Sequence, residues 1–188
     1  MARTVYYAAM SLDGYIAEPE EKLGWLMGFD GPGSAMEGSQ GSSPVEESYP
    51  EFLRGIGSLV MGSKTYEFVL SEGGWAYGDM PTWVYTRREL PPIEGANLTF
   101  TAGDVAERHA EIVSAAGAKD LWVIGGGDLA SQYVAAGLLD LVRVTVVPVV
   151  LGGGLPLFAE PMPAPMRLLA MTPFENGMVE LSYEIVAA

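Results

Sequence analysis

The chain has no cysteine, which excludes disulfides, thiolate nucleophiles and cysteine-bound zinc. Its single histidine, His109, offers neither a polyhistidine metal centre nor a Ser-His triad. Positive charge is scarce. Ten Lys and Arg stand against 24 Asp and Glu, a net charge of −14 and a sequence pI near 4.3. A surface of that sign repels phosphate backbones, so nucleic acid is a poor partner. Long apolar runs are missing as well. The most apolar stretch, Val144 to Leu151, is interrupted by Pro148 and ended by Gly152–Gly154, too short to span a bilayer. The first residues, MARTVYYAAM, lack the apolar core of a signal peptide. These absences lead us to expect a soluble cytoplasmic protein with no membrane and no nucleic-acid partner.

What remains is globular in composition: 49% hydrophobic and 18% charged over 188 residues. That suits one domain, residues 1–188, with one full core. No internal repeat or linker divides it. Glycine is plentiful, and its placement organises the reading. Leu121–Ile124 is an apolar, partly β-branched run that predicts a buried strand. Gly125, Gly126 and Gly127 follow. Asp128 and Leu129 then open a run in which Leu129, Ala130, Tyr133 and Val134 recur at helical spacing until Gly137. Strand, glycines and helix in that order aim free backbone N–H groups at whatever lies above the turn. A nucleotide pyrophosphate suits it; a tight packing turn is the alternative.

A second such junction lies upstream. Ser58–Gly62 predicts a strand that runs into Ser63-Lys64-Thr65, with Tyr66, Val69 and Leu70 as the inner stripe of the next helix. Hydroxyls, an ammonium and open N–H groups converge there, which suits phosphate oxygens; the alternative is an ordinary capped helix with a solvated Lys64. Two such junctions in one small domain favour a dinucleotide.

The other elements fall around these two. Val5–Met10 predicts a buried first strand, and Ser11-Leu12-Asp13-Gly14 a turn. Ile16 and Ala17 are small and apolar enough for a pocket floor. Residues 28–43 are a Gly- and Ser-rich loop, preceded by apolar Trp25, Leu26, Met27 and Phe29. A helix is expected from about Val45 to Arg54, with Tyr49, Phe52 and Leu53 on one face. Thr82–Thr86 alternates like a strand and ends at Arg87-Arg88; either cation suits a ribose phosphate or a salt bridge. Leu98–Thr101 is another strand. Asp104 at the N-cap and Glu107 at the third position predict a capping box for a helix to Ala116, with Gly117 ending it and His109 on its solvated side. Leu141–Leu151 is a long strand in which Pro148 marks an edge or bulge. After Gly152–Phe158 and a proline-rich connector at 161–165, Met178–Val186 forms a last, antiparallel strand. The fold class is α/β: a three-layer domain with a mostly parallel central sheet, C-terminal antiparallel strands and helices on both faces. No G-x-G-x-x-G follows the first strand, so it is not a Rossmann fingerprint.

Taken in order, SLDGYIA (11–17), LVMGSKTYE (59–67), VYTR (84–87), WVIGGGDLA (122–130), GLLD with RVTVVPVVLGGG (137–154) and LPLF (155–158) resemble the dihydrofolate reductase-like fold. The nearest branch is the C-terminal reductase domain of the bifunctional riboflavin-biosynthesis deaminase-reductase. The resemblance implies a reductase that transfers a hydride from NADPH to a small heterocycle, similar to 5-amino-6-(5-phosphoribosylamino)uracil reductase. It implies that Ala9 and Ile16 meet the nicotinamide. Gly62, Ser63, Lys64 and Thr65 take the pyrophosphate and ribose side. Thr86 and Arg87 meet the adenosine end. Gly125, Gly126, Gly127, Asp128 and Leu129 cradle the pyrophosphate opposite, with a cis Gly125–Gly126 bond. Ser63 stands where family members commonly carry Arg, so NADPH against NADH rests on Lys64 or Arg87. Asp13 is the carboxylate nearest the implied nicotinamide edge, as proton relay or as turn former. Tyr7, Trp25 and Leu155 are candidates for the substrate wall. The pterin site of true dihydrofolate reductases is only partly matched: Trp25 lacks the neighbouring Pro, and Asp30, Glu46 and Glu47 are loosely placed. Dihydrofolate reductase activity and a nucleotide-binding protein without turnover are the rival functions. A homodimer is expected through an edge strand around Val144–Val150.

Overall fold

The computed structural model describes residues 2–27, 48–71, 73–162 and 165–186. The loop expected at 28–43 lies outside these residues, as do Val45, Asp30, Glu46 and Glu47. The strands are β1 (Thr4–Ser11), β2 (Tyr15–Ala17), β3 (Ile56–Gly62), β4 (Thr82–Tyr85), β5 (Leu98–Thr101), β6 (Asp120–Gly125), β7 (Leu141–Val147), β8 (Leu155–Pro156), β9 (Arg167–Pro173) and β10 (Val179–Glu184). The α-helices are α1 (Gly24–Met27), α2 (Ser48–Arg54), α3 (Ser63–Ser71), α4 (Val105–Ala116) and α5 (Gly127–Ala135).

Eight strands form the main sheet in the order β5-β4-β3-β6-β1-β7-β10-β9. The first six run parallel, and β10 lies antiparallel to both β7 and β9. Alternation along the strands splits the core in two. On one face Tyr6, Val60, Leu121, Val123 and Val142 pack under Val105 and Ile112 of α4 and Leu129, Ala130 and Tyr133 of α5. On the other, Val5, Tyr7, Leu59 and Trp122 meet Phe52 of α2, while Met61 and Val84 meet Tyr66 of α3. The expected three-layer α/β architecture is therefore present. Among the described residues no helix is long and apolar enough to cross a membrane.

Three local expectations need correction. First, β7 is not an edge. It ends at Val147, before Pro148, and β10 returns along its free side with Glu180 opposite Thr145. The antiparallel edge belongs to β9, all seven residues of which are exposed. The prolines at 161 and 165 masked that strand in the sequence, because it follows them directly. Second, His109 is not solvated. It is half-buried, its Nε2 lies 3.3 Å from Thr4 Oγ1, and its ring stands edge-on to Tyr133 at 5.9 Å. Burial pushes its pKa below the ordinary imidazole value, with Asp140 partly opposing. Third, Asp104 caps α4 by accepting from Ala106 N–H at 2.8 Å. Glu107 at the third helical position sends back no bond within the described contacts.

Candidate active site

The C-terminal ends of β1, β3 and β6 lie side by side, and the site is built on them. Parallel pairing sets Met61 of β3 opposite Gly125 of β6. The two strand–glycine–helix corners read from the sequence are therefore neighbours. A Cβ placed on Gly62 would lie 3.8 Å from Gly125 O and 4.0 Å from Gly126 N. Helices α3 and α5 both begin here, so two sets of unsatisfied N–H groups face one space. The Gly125–Gly126 peptide bond is cis.

The glycines at these corners are not equivalent. A Cβ on Gly127 would sit 2.4 Å from Pro156 O and 2.8 Å from Leu157 O. Packing of the β8 segment demands a glycine there, so Gly127 is a structural residue and not an open cradle. Gly62 and Gly126 have no such reason. Neither has a positive φ, and Gly126 would bring its Cβ no nearer than 4.0 Å, to Ile16 Cδ1. Among the described residues no contact calls for glycine at either position. Their bareness leaves backbone open to close approach from the cavity side.

Beside the corners opens a cavity of about 450 Å³. Ala8 and Ala9 of β1, Ile16 and Ala17 of β2, and Ile124, Gly125 and Gly126 line one side. Lys64, Thr65, Glu67, Phe68, Val69 and Ser71 come from α3, and Glu20, Leu23, Leu26, Tyr77 and Leu155 complete the wall. Of the residues named from the sequence, Ala9, Ile16, Lys64, Thr65, Gly125, Gly126 and Leu155 meet at this cavity. Gly62 and Ser63 adjoin it through the corner.

Others are placed elsewhere. Asp13 does not line the cavity. One carboxylate oxygen accepts from Ser11 Oγ at 2.7 Å and Leu151 N at 3.1 Å, the other from Gly152 N at 2.7 Å. It clamps the β1–β2 turn to the 151–152 loop, and the Ser11 hydroxyl followed by those two N–H groups holds its pKa below the ordinary value. Both oxygens are engaged, which suits the turn-forming role. Tyr7 is core: it packs edge-on to Phe52 at 4.7 Å and donates to Glu180 at 2.8 Å. Burial pushes its phenol up to about 12. Glu180 also accepts from Ser48 and from Arg143, whose guanidinium lies over the Tyr7 ring at 5.1 Å. Trp25 packs on Val147, Phe174 and Met178, while its neighbours Leu23 and Leu26 reach the cavity. Leu129 is buried in the core, so only its backbone belongs to the corner. Asp128 is exposed and accepts from Gln132.

Midway along α3, Arg88 grips Glu67 through two bonds of 2.8 and 2.7 Å and holds that carboxyl below its ordinary pKa. Arg88 therefore takes the salt-bridge role. Its neighbour Arg87 is exposed, and Thr86 Oγ1 accepts from Arg88 N at 3.0 Å to turn the strand end. Leu26, one of the apolar residues before the 28–43 loop read as able to cover a ligand, does line the cavity, whereas sequence reasoning missed Phe68, Leu23 and Tyr77. Phe68 was readable, because it shares a helix face with Thr65. Tyr77 stands in a glycine-rich loop and had no periodic signal.

The sequence pattern of the RibD C-terminal domain family matches residues 64–179, more than half of the chain. The uncharacterized protein YwjB of Bacillus subtilis is 30% identical over 159 residues, covering 84% of this chain and 83% of its own. A structure from Shewanella sp. PV-4, provisionally assigned to riboflavin biosynthesis, superposes with a TM-score of 0.77 at 25% identity, covering 98% of each chain. Enterococcus faecalis dihydrofolate reductase, solved with NADP(H), shares the fold: TM-score 0.61 at 16% identity, covering 97% of this chain and 95% of its own.

Proposed function

The chain belongs to the RibD C-terminal domain family, and we propose that it is an NAD(P)H-dependent reductase acting on a small heterocyclic molecule. The observation that carries this reading is the pair of unexplained glycines, Gly62 and Gly126, on adjacent corners where two helices begin. A diphosphate fits there without a cationic cluster: backbone N–H groups, the Thr65 hydroxyl and the Lys64 ammonium supply the donors. Ala9 and Ile16 stand at the cavity mouth beside Gly126, small and apolar enough to take the face of a nicotinamide. When bound there, the reduced ring supplies a hydride. The protein's own contribution is orientation and exclusion of water. Thr86 and the exposed Arg87 follow β4, whose Tyr85 pairs with Gly62; assigning them to an adenosine phosphate supports NADPH over NADH.

Reduction of 5-amino-6-(5-phosphoribosylamino)uracil is the finer activity implied by the family. Titration of NADPH and NADH by calorimetry, followed by cofactor oxidation with pterins and ribosylamino-pyrimidines, tests the proposal. Binding with turnover supports a reductase. Binding without turnover under any acceptor supports the rival, a nucleotide-binding protein. Failure of both cofactors to bind overturns both readings.

A further inference from the structure

The apolar lining of the cavity has a chemistry of its own. Phe68 and Val69 of α3, Leu23, Leu26, Ile124 and Tyr77 supply it. Tyr77 is held between Trp75 at 5.0 Å and Trp122 at 5.9 Å, both edge-on. Among the described residues no hydrogen bond engages its hydroxyl. The charges at the rim are matched: Glu67 by Arg88 and Glu20 by Lys22, at 2.7 Å each. Lys64 also acts on Glu67. A phosphorylated sugar placed here would meet apolar walls, paired cations and the field of a chain with net charge −14.

We propose that this compartment takes an uncharged, planar ring compound with a conjugated carbonyl, whose oxygen accepts a hydrogen bond from Tyr77. The inference rests on the reductase reading and narrows its substrate. In the step, the acceptor's electrophilic carbon gains a C–H bond while the cofactor's C4–H bond breaks. The acceptor is reduced by two electrons and the nicotinamide is oxidised. The displaced π pair moves to the carbonyl oxygen, where the Tyr77 O–H stabilises the developing charge, and water supplies the proton that completes the product. Burial raises the Tyr77 pKa, with Tyr49 adding to the shift, so the phenol keeps its proton at neutral pH.

The experiment has two arms. NADPH binding is measured first by calorimetry on parent and Tyr77→Phe; equal affinity is expected, and absence of binding by the parent sinks the reductase reading itself. NADPH oxidation is then followed with a naphthoquinone, a cyclic enone, 5-amino-6-(5-phosphoribosylamino)uracil and the same aminouracil without its phosphate. The inference expects the uncharged compounds to be favoured at least tenfold in kcat/KM over the phosphorylated one. It expects Tyr77→Phe to lower kcat for them about 100-fold, with KM little changed. A preference for the phosphorylated compound overturns the inference and leaves the reductase reading standing. So does a Tyr77→Phe variant that turns over at the parental rate.

Discussion

Two glycines of the same strand separate a structural reason for glycine from a functional one. Gly57 and Gly62 both lie in β3. A Cβ on Gly57 would sit 2.2 Å from Ala116 O and 2.8 Å from both Ala116 C and Cα. Those are backbone atoms at the end of α4, so nothing can swing aside. Gly57→Ala therefore belongs with severe overpacking, at about 3 kcal/mol, a fall of roughly 6–12 °C in Tm for a domain of this size. Among the described residues a Cβ on Gly62 would come no nearer than 3.8 Å to any atom, an ordinary contact. Gly62→Ala relieves the entropy that glycine costs a strand, so stability rises by up to about 1 kcal/mol. The same methyl occupies the cradle between the two corners. A diphosphate pushed outward loses at least one charge-assisted bond to backbone N–H, worth about 1.5–3 kcal/mol, or roughly a 10- to 100-fold rise in Kd for NADPH. Thermal melts and calorimetric titration on both variants provide the assay. The expected result is crossed: Gly62→Ala melts at or above the parent and binds weakly, while Gly57→Ala melts early and binds normally when folded. A Gly62→Ala protein that binds NADPH as tightly as the parent refutes the reasoning.

Three further outcomes follow from individual contacts. Asp13→Asn, which keeps the shape but not the charge that clamps Leu151 and Gly152, lowers Tm and leaves turnover intact; a large loss of kcat at unchanged Tm contradicts the clamp. Because the Asp13 pKa is depressed on folding, its contribution is full above the unfolded value of about 3.9 and fades as pH falls through the lower folded value, visible as a loss of acid stability that Asp13→Asn abolishes. Glu180→Ala strands the Arg143 guanidinium over Tyr7 and Phe52 and costs about 3–5 kcal/mol in urea unfolding, with NADPH affinity unaltered. The only imidazole, His109, titrates by NMR below 6.5; its share of stability is complete above the unfolded pKa and is lost as pH falls through the folded one, and a normal titration refutes its burial.

The layers of this fold were legible because they depend on periodicity and on chain order. The apolar runs Val5–Met10 and Leu121–Ile124 leave those segments little choice but to be buried strands, and the helical stripe Leu129-Ala130-Tyr133-Val134 must face a sheet. β9 was hidden because Leu168, Leu169 and Met171 form an exposed edge with no alternation to report it. The site was legible only where backbone does the work. Glycines before a helix announce a corner, and pairing of β3 with β6 then sets the two corners side by side. Side-chain destinations were not legible, because they depend on register. Tyr7 and Ala9 lie on the same face of β1, two residues apart, yet one meets Phe52 in the core and the other the cavity. Trp25 and Leu26 are adjacent, and only the second reaches the cavity. Three consecutive glycines looked alike, but the approach of β8 makes Gly127 a packing residue and leaves Gly126 open. Composition can say that a glycine is present. Only the neighbours of its missing Cβ say why, and at Gly62 and Gly126 the protein itself provides no answer, which is the strongest reason to look for a ligand there.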